Sequence, residues 1–158
     1  MALSKNNPKD DFPDDLEGFE APADPRRFAR QLALQFLYQL EIQNGQNLDQ
    51  MERFLAEYCP DPAVRQTAGA FIRGAWQMKD SLDEHIRRTC ENWDLSRISL
   101  VDRSNLRLAV YQLIACPEIP PKAVINEAVE LAKTFGTAQA PAFVNGILDA
   151  IRKHLQTP

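Results

Sequence analysis

The segment DPRRFARQLALQFLYQLEIQN, residues 24–44, predicts an amphipathic helix. Asp24 suits the N-cap position, and Pro25 suits the first helical position, where a missing N–H costs no hydrogen bond. Apolar residues recur at the spacing of a single buried helix face. These residues are Ala29, Leu32, Ala33, Phe36, Leu37 and Leu40. Gly45, just beyond the segment, is a natural helix stop. The segment therefore supplies one apolar face to a helical core.

Three arginines, Arg26, Arg27 and Arg30, occupy the first two turns of this helix. The N-terminus of a helix carries positive partial charge, so acidic residues would be favoured there. Cations at this end indicate an anion-binding site, and guanidinium groups suit phosphate, as in nucleic acid. The alternative is that they are ordinary exposed arginines neutralised by a nearby acidic segment. In either case the spacing predicts that Arg30 lies off the buried face.

The first 23 residues differ in composition from the rest of the chain. They hold six acidic residues against Lys5 and Lys9, together with three prolines, and are expected to form a disordered acidic tail. The whole chain carries a net charge of −4. With Asp24, the tail has seven acids and two bases, which leaves residues 25–158 at +1. A nucleic-acid site must therefore be a local basic patch.

The remaining chain also follows helical spacing, and it lacks the sustained alternation typical of strands. Further helices are expected at about 48–58, 62–90, 99–116, 121–135 and 142–155. In the second of them, Asp61 and Pro62 repeat the start with a capping aspartate and a proline, and a bend is expected near Gly74 or between Met78 and Leu82. Leu48 and Leu155 are assigned to buried faces. The sequence predicts an all-α fold of two packed three-helix subdomains, about 24–92 and 99–156, joined by a connection at 93–98.

Composition and motif content point to a soluble binding protein. The chain is 44% hydrophobic and 25% charged, with no apolar run of the roughly 20 residues that span a bilayer and no signal peptide, so a cytoplasmic location is expected. Cys59, Cys90 and Cys116 are expected to be reduced and buried. His85 and His154 lack further ligands at metal spacing, so neither a metal nor a cofactor is expected.

Motifs for catalysis are missing from the sequence. There is no Gly-rich phosphate loop after a strand and no nucleophile elbow. The carboxylates of Glu127 and Glu130 are explained by an exposed helix face. A binding function is therefore expected, not an enzyme.

Two blocks of sequence resemble the NusB family of transcription antitermination factors. They are RRFARQLALQFLYQ, residues 26–39, and VDRSNLRLAVYQLIACPEIPPKAVINEAVELAKTFGTAQAPAFVNGILDAI, residues 101–151. The resemblance implies two packed helical subdomains without catalytic activity. It also implies a complex with the ribosomal protein NusE that binds boxA-type single-stranded RNA in ribosomal RNA operon leaders. With other Nus factors on RNA polymerase, that complex would suppress premature termination.

The resemblance also assigns an RNA site by position. The arginines of the first helix match the family's basic RNA-binding motif, and aromatic residues flank a second RNA-binding loop. The proposed RNA contacts are Arg26, Arg27, Arg30, Phe135, Gln139 and Phe143. A purely structural alternative is that the two phenylalanines belong to the core.

Two further residues, Tyr38 and Asp102, match positions that face the protein partner. Each also has a structural alternative, since Tyr38 suits boundary packing and Asp102 completes a capping box with Ser99. A different function is also open: a helical protein-interaction domain that does not bind RNA directly. A third is the accessory domain of an RNA-modifying enzyme, which we do not expect because the chain leaves no room for a cofactor-binding domain.

Overall fold

The computed structural model describes residues 21–90 and 95–156. Within these ranges the regular secondary structure is entirely helical, as predicted from the sequence. The α-helices are α1 (Pro25–Ile42), α2 (Met51–Tyr58), α3 (Pro62–Gln77), α4 (Lys79–Thr89), α5 (Leu100–Ala115), α6 (Pro121–Phe135) and α7 (Ala140–Gln156). Short 3₁₀ helices cover Leu48–Gln50 and Leu95–Arg97. The predicted acidic tail lies almost wholly outside the described residues.

Side-chain caps start three of the helices where the sequence predicted them. The carboxylate of Asp24 accepts a hydrogen bond from the Arg26 N–H at 2.9 Å. At the start of α3, the carboxylate of Asp61 accepts a hydrogen bond from the Ala63 N–H at 2.9 Å. At the start of α5, the Ser99 hydroxyl accepts from the Asp102 N–H at 3.1 Å. Each bond satisfies a backbone donor that has no partner inside its own helix.

The predicted helix over 62–90 is two helices, and the break lies at the predicted bend. α3 ends at Gln77 and α4 begins at Lys79, with Met78 between them. Backbone bonds continue on both sides, because the Met78 N–H donates to the Gly74 carbonyl at 3.1 Å and the Leu82 N–H donates to the Met78 carbonyl at 2.9 Å. A single residue, Met78, therefore separates the two helices.

The chain forms two compact units, the first ending at Ile72 and the second beginning at Arg73. The predicted connection at 93–98 lies partly outside the described residues, and the subdomain boundary expected there stays a prediction. Before it in the chain, α4 packs against α5 and α7. In the first unit, the rings of Phe36 and Phe54 lie 5.1 Å apart, and the predicted face of α1 is buried. Aromatic pairs at this spacing add to core stability beyond the area they bury.

The second unit is arranged around α5, which packs against α4, α6 and α7. The side chain of Asn105 reaches α6, where its Nδ2 donates to the Ala128 carbonyl at 2.9 Å. Because α5 has neighbours on several sides, it buries polar residues that a one-sided helix would expose. They are Asp102, Ser104, Asn105, Arg107 and Gln112. This all-round burial was not predicted from the spacing of its apolar residues.

Two leucines assigned to buried faces are on the surface. Leu48 is 38% exposed and Leu155 is 40% exposed. Leu48 is the first residue of a 3₁₀ helix and Leu155 is the second-last residue of α7. Cys59, Cys90 and Cys116 are free thiols and buried, as predicted. None of the helices within the described ranges combines the length and the apolar character needed to cross a bilayer.

Candidate nucleic-acid interface

The three arginines of α1 differ in their environment. Arg26 and Arg27 are exposed in the first turn. Arg30, one turn later, is only 4% exposed. The prediction that Arg30 lies off the buried face is therefore wrong. Its proposed contact with RNA stays a prediction. The first turn of α1 contains no acidic residue.

The burial of Arg30 follows from the environment of α1 as a whole. Phe28, Gln31, Leu34 and Gln35 are buried as well, although none of them belongs to the apolar face read from the sequence. Helical spacing identifies the face with the most apolar residues. It does not reveal that the opposite face is also covered.

Tyr38 lies in the same helix and is 2% exposed. Its hydroxyl is buried with the ring. The structure thus places Tyr38 in the core and not on an open partner-facing surface. Its assignment to partner binding stays a prediction.

The turn between α6 and α7 carries the second group of candidate residues. Phe135 is the last residue of α6 and Phe143 lies in the first turn of α7, and both are half-buried. Gln139 is exposed between them. The Ala140 N–H donates to the Thr137 carbonyl at 3.1 Å, and the Phe143 N–H donates to the Gln139 carbonyl at 3.2 Å. The turn therefore presents the exposed side-chain amide of Gln139 between two half-buried phenylalanines. It lies at the N-terminus of α7, which carries positive partial charge.

Asp102 lies beside this turn. A Cβ built on Gly136 would be 3.2 Å from Oδ1 of Asp102. Asp102 is 8% exposed, and burial raises the pKa of its carboxyl above 3.8, with the Ser99 hydrogen bond acting in the opposite direction. The second unit therefore brings Asp102 together with the α6–α7 turn, whereas the arginines and Tyr38 belong to the first unit.

Gly136 directly follows α6, at a position where a glycine commonly ends a helix. In the structure it also allows a close approach, because a Cβ there would lie 2.6 Å from the Ala140 Cβ and 2.8 Å from the Ala132 carbonyl oxygen. Real Cβ atoms are not found that close to other atoms. A glycine directly after a helix is the only sequence signal for this close approach, and it is also the usual signal for a helix end.

A metal centre is not found in the described part of the chain. No three His, Cys, Asp or Glu side chains in residues 21–90 and 95–156 are grouped so that they could hold a metal ion.

Comparison with known proteins identifies the family. Residues 27–153 match the sequence model of the NusB family. The chain belongs to the NusB family. The transcription antitermination protein NusB of Syntrophus aciditrophicus is 41% identical over 126 residues, which cover 80% of this chain and 78% of that protein. The region that matches the family model includes every candidate site residue except Arg26, which lies one residue before it.

Solved structures of NusB proteins share the fold. NusB from T. maritima has a TM-score of 0.74 and 39% identity, over 82% of this chain and 92% of that chain. A crystal structure of the antitermination factors NusB and NusE in complex with double-stranded RNA has a TM-score of 0.75 and 25% identity, over 84% of this chain and 99% of that chain.

Proposed function

We propose that this NusB-family chain is a transcription antitermination factor that binds boxA-type single-stranded RNA together with the ribosomal protein NusE. The complex acts on RNA polymerase, with other Nus factors, during transcription of ribosomal RNA operons in the cytoplasm. The role is binding and not catalysis. Family membership supports the proposal, as does the likeness to a NusB structure with NusE and RNA.

The observation that carries the proposal is the charge at the start of α1. Arg26 and Arg27 are both exposed in the first turn, which contains no acidic residue, and the Asp24 carboxylate before it is bound to the Arg26 backbone N–H. Cations at the positive end of a helix do not stabilise that helix, whereas an anion bound there is attracted by both the helix dipole and the guanidinium groups. RNA phosphates are such anions, and guanidinium groups bind them with paired hydrogen bonds.

The α6–α7 turn is the proposed contact to RNA bases. Half-buried rings, like those of Phe135 and Phe143, are held in place by the core while part of the ring stays open for stacking. Base–aromatic stacking contributes about 1–3 kcal/mol per base in single-strand binding. Gln139 offers both a donor and an acceptor to a base edge.

The buried candidate residues have supporting roles in this proposal. Arg30 adds positive charge beneath the surface that Arg26 and Arg27 present. Tyr38 in the first unit and Asp102 in the second are the proposed NusE positions. Because each of them is buried, we expect NusE to contact exposed residues next to each.

The test is an RNA titration in the presence of NusE, monitored by fluorescence anisotropy. Replacing Arg26 and Arg27 together by Gln should weaken binding of boxA-like RNA. The slope of log K against log salt should fall by about 0.7 for each phosphate that the variant no longer binds. The matched control is Arg87→Gln with Arg88→Gln, a second pair of exposed arginines with the same change in charge.

The control pair should bind RNA with the wild-type salt slope. If the Arg26 and Arg27 substitutions leave both affinity and slope unchanged, the proposed site is wrong. If wild-type protein with NusE binds no RNA, the chain functions as a protein-interaction domain without direct RNA binding. A boxA-like duplex in parallel determines whether the single strand is preferred.

A further inference from the structure

Asp102 is placed too deeply to serve as an ordinary surface contact. It lies in the first turn of α5, and only 8% of the residue is exposed. Its Oδ1 is buried and accepts no hydrogen bond from the described residues. Asp102 can therefore affect binding only through the residues that pack around it.

Helix capping explains only part of the environment of the Asp102 carboxylate, whose hydrogen bond with Ser99 lowers its pKa. The capping bond at the start of α5 runs from the backbone N–H of residue 102 to the Ser99 hydroxyl. That bond would form with any side chain at position 102. Burial also raises the pKa of the Asp102 carboxyl, so the ionised group is disfavoured where it lies.

The Asp102 side chain lies beside the end of α6. A Cβ built on Gly136 would be 3.2 Å from its Oδ1, at a point where Ala132 and Ala140 approach the same residue. The start of α5, the end of α6 and the start of α7 thus converge on a glycine that has no room for a side chain. Gly136 directly follows Phe135 and precedes the exposed turn, so its position sets the orientation of both.

We propose that Asp102 is a positioning residue of the α6–α7 turn, which couples engagement of α5 by a protein partner to RNA binding by Phe135, Gln139 and Phe143. The proposal rests on the function proposed above. A partner that moves the start of α5 moves Asp102, and with it Gly136. Coupling of this kind is reciprocal, so RNA held by the turn strengthens partner binding by the same factor.

The decisive comparison is RNA binding by protein that is already saturated with NusE. Asp102→Ala should lower the RNA affinity of the saturated complex by about fivefold. Asp102→Asn has the same shape, keeps the contact with Gly136 and should stay within about twofold of wild type. A residue that only contacts the partner would show no reduction in RNA affinity at saturation.

Asp61→Ala is the matched control, because it removes a capping aspartate from a different helix, α3. It should leave RNA affinity unchanged even if it lowers stability. The same reduction in affinity for Asp61→Ala as for Asp102→Ala would overturn the proposal, because general destabilisation would then account for both. Wild-type affinity in Asp102→Ala would overturn it as well.

Hydrogen exchange of the free protein gives a readout that needs neither RNA nor NusE. The Ala140 and Phe143 amides, which close the turn, should exchange about tenfold faster in Asp102→Ala and at the wild-type rate in Asp102→Asn. Unchanged exchange in Asp102→Ala would overturn the positioning role. Because this measurement is independent of RNA, failure of the positioning role and failure of the proposed function remain distinguishable.

Discussion

Three charged residues are buried in the part of the chain that the structure describes. Arg30, Asp102 and Arg107 each have less than a tenth of their surface exposed. Removing a charge from water is costly unless hydrogen bonds and packing compensate. Substitutions at these positions should therefore affect stability more than their polar character suggests, and for Asp102 the effect should depend on pH.

Arg30→Ala should lower the free energy of unfolding by about 1–3 kcal/mol, because the substitution removes a packed aliphatic stem and leaves a buried gap. Arg27→Ala, three residues earlier and exposed, should change it by about 0.5 kcal/mol or less. Urea denaturation of both variants measures the difference. Equal stabilities would mean that Arg30 is exposed in solution.

Asp102→Asn should gain stability relative to wild type as pH rises. Burial raises the pKa of Asp102 in the folded state above its ordinary value of 3.8. The stability that comes from protonating Asp102 is therefore fully present below pH 3.8, and it is lost as the pH rises through the folded-state pKa. Asparagine does not ionise and avoids this loss. Denaturant melts at pH 3.5 and pH 7 should show the difference between variant and wild type growing towards pH 7.

Asp149→Asn is a control for which we expect the opposite change of stability with pH. Hydrogen bonds from Arg152 and Lys153 lower the pKa of Asp149, so its ionised form favours the folded state above pH 3.8. This variant should lose stability relative to wild type over the same range. The same trend for both variants would contradict the assigned environment of Asp102.

At the scale of elements, helix pairs in the second unit are fixed by a few specific contacts. Arg107 of α5 donates from Nε and Nη2 to the two carboxylate oxygens of Asp83 in α4, at 2.6 and 2.7 Å. Gly74 of α3 faces the ring of Tyr111 in α5. Such contacts act between helices, so removing them should disturb packing and not helix formation.

Asp83→Ala should cost about 3–5 kcal/mol, because it leaves Arg107 buried without its paired charge. The side chains of this pair are only 8% and 13% exposed. Glu84→Ala, at the next position of α4, removes exposed ion pairs with Arg87 and Arg88 and should cost about 0–1 kcal/mol. Comparable destabilisation of both variants in thermal melts would show that the Asp83–Arg107 pair is hydrated.

Gly74→Ala should leave the protein less stable than Gly146→Ala by about 1–3 kcal/mol. Both glycines lie within helices, so both substitutions gain helix propensity. A Cβ at Gly74 would overlap the Tyr111 ring, whereas a Cβ at Gly146 would meet nothing within 4 Å. Chemical denaturation should rank the two variants in this order, and combining Gly74→Ala with Tyr111→Ala should reduce the penalty. The reverse order would rule out the Tyr111 contact.

At the scale of the whole molecule, charge is distributed unevenly along the chain. Residues 1–24 carry seven acids and two bases, while residues 25–158 are nearly neutral at +1. The acidic segment is joined directly to the helix that begins with Arg26 and Arg27. A tethered segment acts at an effective concentration of around 1 mM, enough for a weak ionic contact to be partly occupied.

Deletion of residues 1–23 should raise RNA affinity by up to about fivefold at low salt, because exposed ion pairs are worth about 0–1 kcal/mol. The gain should nearly disappear at physiological salt, where charges are screened beyond about 8 Å. RNA titrations across a salt series test this. A full-length variant with the six tail acids replaced by amides is the control for length, and identical low-salt affinities for all three proteins would exclude a role for the tail charge.

The sequence by itself determined the helices and their ends. Asp24, Asp61 and Ser99 cap their helices as predicted, and the chain breaks at Met78, within the predicted interval. These features depend on residues within about four positions of one another, so local spacing is enough to identify them. The same spacing correctly identified the main buried face of α1.

Tertiary structure alone decided which polar residues are buried and which candidate residues meet. Arg30 and Tyr38 are covered, Leu48 and Leu155 are exposed, and Asp102 lies against Gly136, 34 positions later in the chain. The reason is that burial of a second helix face depends on segments distant in sequence, and periodicity within one helix carries no information about them.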